Sequence, residues 1–153
     1  SSDVCSSDLF MPFDGNNWDR SKLISYQEIM DQVDLAFEKT DVLRIQDRPN
    51  DTSKNYQIKN FRGTFAIIST VTNPFCDSCN RVRLTANGRI KNCLFSATET
   101  DLLTPLRQGA AIEPLIGKAI GAKFKMRGGM DTSEKFQDPA QYEQNRSMIT
   151  IGG

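Results

Sequence analysis

Residues 75–95 read FCDSCNRVRLTANGRIKNCLF and contain the strongest local structural signal of the sequence. Asn87-Gly88 near their centre is a strong β-hairpin signal, because both central positions of a type I′ turn require positive φ. The flanking residues, 81–86 and 89–95, are rich in strand-forming side chains. We therefore predict two antiparallel strands joined by a tight turn.

Three cysteines accompany this hairpin. Cys76 and Cys79 are separated by two residues, and Cys93 lies on the second predicted strand. A C-x2-C loop places two sulfurs near one centre, and a hairpin can return the third. A disulfide between two of these cysteines would leave the third as a free thiol. Structural zinc would need a fourth ligand, and the chain has no His to supply it. The three cysteines could also be core residues that bind no metal. We favour an iron–sulfur cluster held by three thiolates, which leaves one iron open.

Arg81 and Arg83 follow the second cysteine and alternate with Val82 and Leu84. On a strand, alternate residues share a face, so the two guanidiniums are predicted to project together. Two such groups beside a metal centre suit phosphate oxygens. The other interpretation is a pair of solvated arginines on an exposed strand face.

One geometric difficulty follows from the predicted turn. A strict two-residue turn pairs Val82 with Cys93, which places Cys93 on the face away from Arg81 and Arg83. For one site to use all these residues, the cysteine loop must curl over the strand end or a bulge must shift the register.

Composition limits the classes of function. The chain has 153 residues, 19 Lys and Arg against 19 Asp and Glu, four Cys and no His. This length predicts one domain, and the zero net charge argues against a nucleic-acid partner. No apolar run is long enough for a membrane span. The absence of His excludes a Ser-His-Asp or Cys-His catalytic pair, and the low Cys content favours a reducing, intracellular setting.

A helix is predicted over residues 26–38. Ser25 and Glu28 form a capping box ahead of Ile29, Val33 and Phe37, which recur at helical spacing. The other predicted elements are strands over 56–61 and 64–71 joined by Arg62-Gly63, helices over 101–108 and 113–123, a surface loop over 125–145, and a last strand over 148–153.

Residues 1–9, SSDVCSSDL, have no apolar period, and we interpret them as a non-native leader outside the fold. The interpretable chain begins abruptly with FMPFDGNNW at 10–18, which suggests a truncated protein.

The segments FMPFDGNNW at 10–18, FCDSCNRVRLTANGRIKNCLF at 75–95 and NRSMITIGG at 145–153 resemble the C-terminal part of the MoaA family. These are radical S-adenosylmethionine (SAM) enzymes of molybdenum cofactor biosynthesis. The resemblance implies GTP 3′,8-cyclisation, in which a 5′-deoxyadenosyl radical abstracts a ribose hydrogen and the sugar carbon attacks guanine C8. The product then passes to a MoaC-type enzyme, and the complete protein is expected to be a homodimer.

The resemblance also implies roles for individual residues. A 4Fe–4S cluster whose open iron binds the guanine of GTP is expected on Cys76, Cys79 and Cys93. GTP is expected to contact Arg81, Val82 and Arg83, and SAM to contact Met11. The terminal Gly152 and Gly153 match a double-glycine tail that reaches into the active site, although terminal glycines are also commonly frayed.

The implied fold is α/β, α+β-like in this chain: the C-terminal part of an incomplete (β/α) radical SAM barrel, with an antiparallel cluster-binding hairpin and short helices. Residues 10–70 would end the barrel, and residues 71–153 would form the cluster- and GTP-binding region.

The family's N-terminal C-x3-C-x2-C motif, which binds the SAM-cleaving cluster, is absent from this sequence. We therefore expect the chain alone to be inactive. The expected location is the cytoplasm, or the mitochondrial matrix in a eukaryote. A zinc-stabilised interaction domain and a small electron-transfer module are the competing hypotheses.

Overall fold

The computed structural model describes residues 4–8, 10–15, 17–138, 145–147 and 151. The chain divides into two compact units, one formed by Ser1–Met11 and Ser21–Ser78 and the other by Pro12–Arg20 and Cys79–Gly153. The roles assigned to residues 10–70 and 71–153 remain predictions.

The first unit contains a four-stranded sheet in the order β1-β4-β3-β2. Its strands are β1 (Val4–Asp8), β2 (Val42–Arg44), β3 (Lys54–Ile58) and β4 (Thr64–Ile68). β1 pairs with β4 in parallel, and the other pairs are antiparallel. The predicted pair of strands near Arg62-Gly63 is confirmed, but their connection, residues 59–63, is longer than the predicted tight turn and uses Asn60 at a φ of 68°.

β1 lies within the residues that the sequence analysis excluded from the fold. Its partner is Thr64–Ile68, with Ser6 opposite Ala66. Strand pairing uses backbone N–H and C=O groups, which every non-proline residue carries, so a segment without an apolar period can still complete a sheet edge. The exclusion of 1–9 from the fold is thus wrong for Val4–Asp8, while the non-native origin of the leader stays a prediction.

α1 (Tyr26–Ala36) confirms the predicted helix and begins at the predicted cap. The Glu28 backbone N–H donates to Ser25 Oγ at 3.2 Å, and the Ser25 N–H donates to the Glu28 carboxylate at 2.7 Å. Hydrogen bonding of the Glu28 carboxylate to the Ser25 backbone N–H, and then to the Ser25 hydroxyl, lowers the pKa of Glu28. Ile29 and Val33 are half-buried, as expected for the apolar stripe.

The described elements of the second unit include a three-stranded antiparallel sheet and short helices. The strands, in the order β5-β6-β7, are β5 (Arg83–Leu84), β6 (Arg89–Lys91) and β7 (Thr100–Asp101). The helices are α2 (Leu103–Arg107), α3 (Glu113–Gly121) and α4 (Ser133–Gln137). Ile90, Leu102 and Ala119 form a buried cluster of this unit, which packs α3 against the sheet.

The predicted hairpin and helices of this unit are confirmed, but the observed strands and helices are shorter than predicted. The predicted loop over 125–145 contains a 3-10 turn, Arg127–Gly129, and α4. The predicted last strand has one described residue, Ile151, which is buried and helical rather than extended.

The described residues form open sheets rather than a closed barrel, and the fold is mixed α and β. The mixed α and β composition is as expected, and the place of these residues at the end of an incomplete barrel stays a prediction. None of the described helices is long and apolar enough to cross a membrane.

Candidate metal and nucleotide site

The β5–β6 hairpin closes through three residues, 86–88, instead of the predicted two. Thr85 N donates to Arg89 O at 2.9 Å, and Gly88 N donates to Thr85 O at 2.9 Å. Gly88 has a φ of 72°, while Asn87 is not among the described residues with positive φ. The connection is thus a turn ending in a bulge at Gly88, and the predicted type I′ turn is wrong.

Contacts from outside the hairpin explain this turn. The Gly88 carbonyl accepts from Leu102 N at 3.0 Å and from Leu103 N at 3.1 Å. A Cβ on Gly88 would lie 2.4 Å from the Leu103 Cβ, so only glycine permits this approach. The start of α2 therefore fixes the backbone of Gly88, which turn propensity alone cannot reveal.

The bulge shifts the register of the hairpin. Arg83 pairs with Lys91, and Leu84 pairs with Ile90, one position away from the pairing of a strict two-residue turn. Arg81 and Cys93 lie beyond the paired residues, so their alignment stays a prediction. This register is the shift that a site shared by the arginines and Cys93 requires.

The predicted alternation along 81–84 is confirmed by burial. Val82 and Leu84 are 43% and 69% exposed, while Arg81 and Arg83 are half-buried. On an ordinary solvated strand the apolar side chains would be sheltered and the charged ones exposed. The reversed pattern disfavours the solvated-face interpretation of the two arginines.

The Cys79 thiol accepts hydrogen bonds from two N–H donors. Its Sγ accepts from Lys123 Nζ at 3.4 Å and from the backbone N–H of Arg81. Burial raises the pKa of this thiol, but the Arg81 N–H and the Lys123 ammonium outweigh burial and hold the pKa below its ordinary value. The local environment therefore favours a thiolate, the form that binds metals.

The three cysteines are free thiols, which argues against the disulfide interpretation. Cys76 begins a 3-10 turn, Cys76–Ser78, in the first unit, and Cys79 and Cys93 belong to the second. Among the described residues, no group of three or more Cys, Asp or Glu is arranged to hold a metal ion. The donor chemistry, soft thiolates with N–H donors and no His, fits an iron–sulfur cluster. Their convergence on one centre stays a prediction.

A buried lysine lies on the strand that leads to Cys93. Lys91 is 1% exposed, and its Nζ donates to Ser96 O and, at 2.6 Å, to Asn145 Oδ1. Burial lowers the pKa of Lys91 to about 8, although the negative charge of Glu99 opposes this shift. No sequence pattern predicted the buried position of Lys91, and its one distinguishing feature in the sequence is that it lies two residues before Cys93.

Residues 145–147 are attached to the second unit by this lysine and by an ion pair. Asn145 Nδ2 donates to Leu94 O at 3.2 Å, and Arg146 donates to both Glu99 oxygens at 2.6 and 2.7 Å. The positive charges of Arg146 and Arg83 disfavour the ammonium form of Lys91, and the negative charge of Glu99 favours it.

The remaining predicted residues lie elsewhere or outside the described chain. Met11 is half-buried, follows β1 and belongs to the first unit. Gly152 and Gly153 lie outside the described residues. Lys123, which contacts Cys79, was missed because the two residues are 44 positions apart.

Residues 10–128 match the family model described as Molybdenum Cofactor Synthesis C. The chain belongs to this family. The resemblance seen in the sequence is therefore confirmed.

Several proteins with curated descriptions are similar to most of this chain. It is 42% identical over 147 residues to the mitochondrial GTP 3′,8-cyclase of Arabidopsis thaliana, covering 94% of this chain and 35% of the relative. It is 35% identical over 162 residues to the GTP 3′,8-cyclase of Paenarthrobacter nicotinovorans, covering 94% and 43%. It is 35% identical over 145 residues to human molybdenum cofactor biosynthesis protein 1, covering 93% and 21%. The chain thus spans less than half the length of these relatives.

Proposed function

We propose that this chain forms the C-terminal part of a GTP 3′,8-cyclase of molybdenum cofactor biosynthesis. Family membership and the names of the relatives support this proposal. The structural observation that supports it most is the hairpin register, which differs by one position from that of a strict two-residue turn, as a site shared by Cys93, Arg81 and Arg83 requires. A metal-binding sulfur and two phosphate-binding groups can then serve one substrate.

In this proposal Cys76, Cys79 and Cys93 hold a 4Fe–4S cluster. The cluster, when bound, offers one iron without a protein ligand, which can act as a Lewis acid toward the guanine base. The protein's part is to keep three thiolates deprotonated and oriented. The two N–H donors to Cys79 Sγ support that role.

The phosphates of GTP are assigned to the cationic side of the hairpin. Arg83 and Lys91 are direct cross-strand partners, and like charges in that position destabilise a sheet. An anion between them removes this penalty. Arg81 and Arg83 each present a planar fork that pairs with phosphate oxygens, and Val82 contributes its backbone in the same run.

The double-glycine tail is proposed to reach the same site. Asn145 and Arg146 are tied to the second unit by the contacts with Lys91 and Glu99. Gly152 and Gly153 follow this anchor closely in sequence. Glycine permits close backbone approach to a ligand, as such a tail requires.

SAM binding and radical generation are proposed for the whole enzyme rather than for this chain alone. Met11 would contact SAM, and the SAM-cleaving cluster would use the C-x3-C-x2-C motif that this sequence lacks. The whole enzyme is proposed to be a homodimer that supplies a MoaC-type enzyme. The mitochondrial name of the Arabidopsis relative makes the mitochondrial matrix one proposed location, with the cytoplasm for a bacterial protein.

Anaerobic reconstitution with iron and sulfide tests the cluster. We expect a brown protein with about four irons per chain. Cys93→Ser should lose the iron, whereas Cys5→Ser, outside the ligand set, should retain it. A colourless protein with one zinc would instead support the zinc-stabilised interaction domain, and full iron content in Cys93→Ser would refute the ligand assignment.

Incubation with SAM, GTP and dithionite tests the inactivity of the chain alone. We expect no 5′-deoxyadenosine above the level of a protein-free control. Its formation would contradict the proposal that radical generation needs the absent motif.

A further inference from the structure

Lys123 connects the end of α3 to the cysteine loop through three hydrogen bonds. Its Nζ lies 3.0 Å from Cys79 O, 3.0 Å from Arg81 O and 3.4 Å from Cys79 Sγ. An ammonium group has three protons, so these three acceptors account for all of them. One cation thus contacts a thiol and both carbonyls that flank Asn80.

The position of Lys123 is fixed by the core of the second unit. α3 buries Ala119 against Ile90 and Leu102, and Asn92 Nδ2 donates to Ala119 O at 2.8 Å. Lys123 N donates to Ile120 O at 3.1 Å, directly after the helix. The ammonium is therefore presented by a packed helix end rather than by a free chain.

We propose that Lys123 is a positioning residue that holds the Cys79–Arg81 loop and tunes the cluster; this inference rests on the proposed function. An N–H···S bond from a cation stabilises negative charge on a ligating sulfur. Reduction adds one electron to a cluster, so this bond favours the reduced state and raises the reduction potential. The two carbonyl bonds hold the backbone of Cys79 and that of Arg81 in a fixed relation.

Lys123→Met retains an apolar stem of similar length and removes the three donors. Lys118→Met is the matched control, because Lys118 is an exposed residue of α3. After anaerobic reconstitution, the Lys123→Met protein should hold its cluster about 10-fold less tightly against a chelator. Redox titration followed by electron paramagnetic resonance (EPR) should give a more negative midpoint potential than in wild type or Lys118→Met.

Hydrogen exchange of the metal-free protein gives a readout that does not depend on the cluster. We expect faster exchange at residues 79–82 in Lys123→Met and wild-type exchange in Lys118→Met. Lys123→Arg should restore protection in part, since it keeps a cation at the site. An unchanged midpoint potential with unchanged exchange would overturn the inference.

The two proposals fail in different ways. If wild type binds no iron, the proposed function is refuted, and the exchange experiment still decides whether Lys123 holds the loop. If wild type binds four irons and Lys123→Met matches Lys118→Met in every measurement, only the role of Lys123 is refuted.

Discussion

Lys91 Nζ lies 2.6 Å from Asn145 Oδ1, across 54 positions of sequence, and both residues are almost fully buried. A buried ammonium is stable only when polar groups surround it. Asn145 and the carbonyl of Ser96 supply those groups. The contact ties the end of the described chain to the strand that precedes Cys93.

Replacing Asn145 by Leu should therefore destabilise the protein. The change leaves Lys91 with one hydrogen bond fewer in a buried position, and we expect a loss of about 2 to 3 kcal/mol in the free energy of unfolding. Urea unfolding followed by circular dichroism measures it. Gln137→Leu, an exposed amide at the end of α4, should change stability by less than about 0.5 kcal/mol. Equal stability of the two variants would show that the buried contact contributes nothing.

Gly128→Ala tests a close backbone approach in the second unit. Gly128 has a φ of 64°, and an added Cβ would lie 2.7 Å from Ser96 N. Because backbone atoms cannot move aside easily, we expect a loss of about 2 kcal/mol or more. Differential scanning calorimetry should show a clear fall in melting temperature.

Gly117→Ala is the control for this change. Gly117 lies within α3 with open space around its added Cβ, so alanine should stabilise the helix by about 0.5 to 1 kcal/mol. If Gly128→Ala stabilised the protein as Gly117→Ala is expected to do, the close approach of Gly128 to Ser96 would be refuted.

The sequence predicted the hairpin but not its register. Asn87-Gly88 correctly indicated the turn, and local propensity favoured two residues with positive φ. The observed bulge depends on Leu102 and Leu103, whose amides bond to Gly88 O. Such a tertiary contact cannot be deduced from the turn residues themselves.

The candidate site was predictable where its members are neighbours in sequence. The cysteine spacing and the alternation of Arg81 and Arg83 are local patterns. Lys123 and Asn145 reach the same region from 44 and 54 positions away. Lys123 belongs to no quoted motif, and the segment that begins at Asn145 indicated the family but not this contact. The strand β1 was not predicted, because its pairing with β4 needs only backbone groups and leaves no side-chain pattern.

The assignment of Arg81 and Arg83 to GTP predicts weaker binding when either is removed. Arg81→Ala and Arg83→Ala should each weaken GTP binding to the reconstituted protein by about 1.5 to 3 kcal/mol, roughly a 10- to 150-fold rise in Kd. Isothermal titration calorimetry measures the change. Arg89→Ala, which alters an exposed arginine of the partner strand, should leave the Kd within about twofold of wild type. Equal GTP affinity in all three variants would show that Arg81 and Arg83 do not bind the nucleotide.

The central claim is that an iron–sulfur cluster and GTP share one site on this chain. EPR spectroscopy of the anaerobically reconstituted, dithionite-reduced protein, recorded with GTP, with ATP and without nucleotide, tests it most directly. We expect GTP to change the cluster signal, because its base approaches an iron, and ATP to have a much smaller effect. A cluster signal identical in all three samples, or a protein that carries zinc or no metal, would contradict the account.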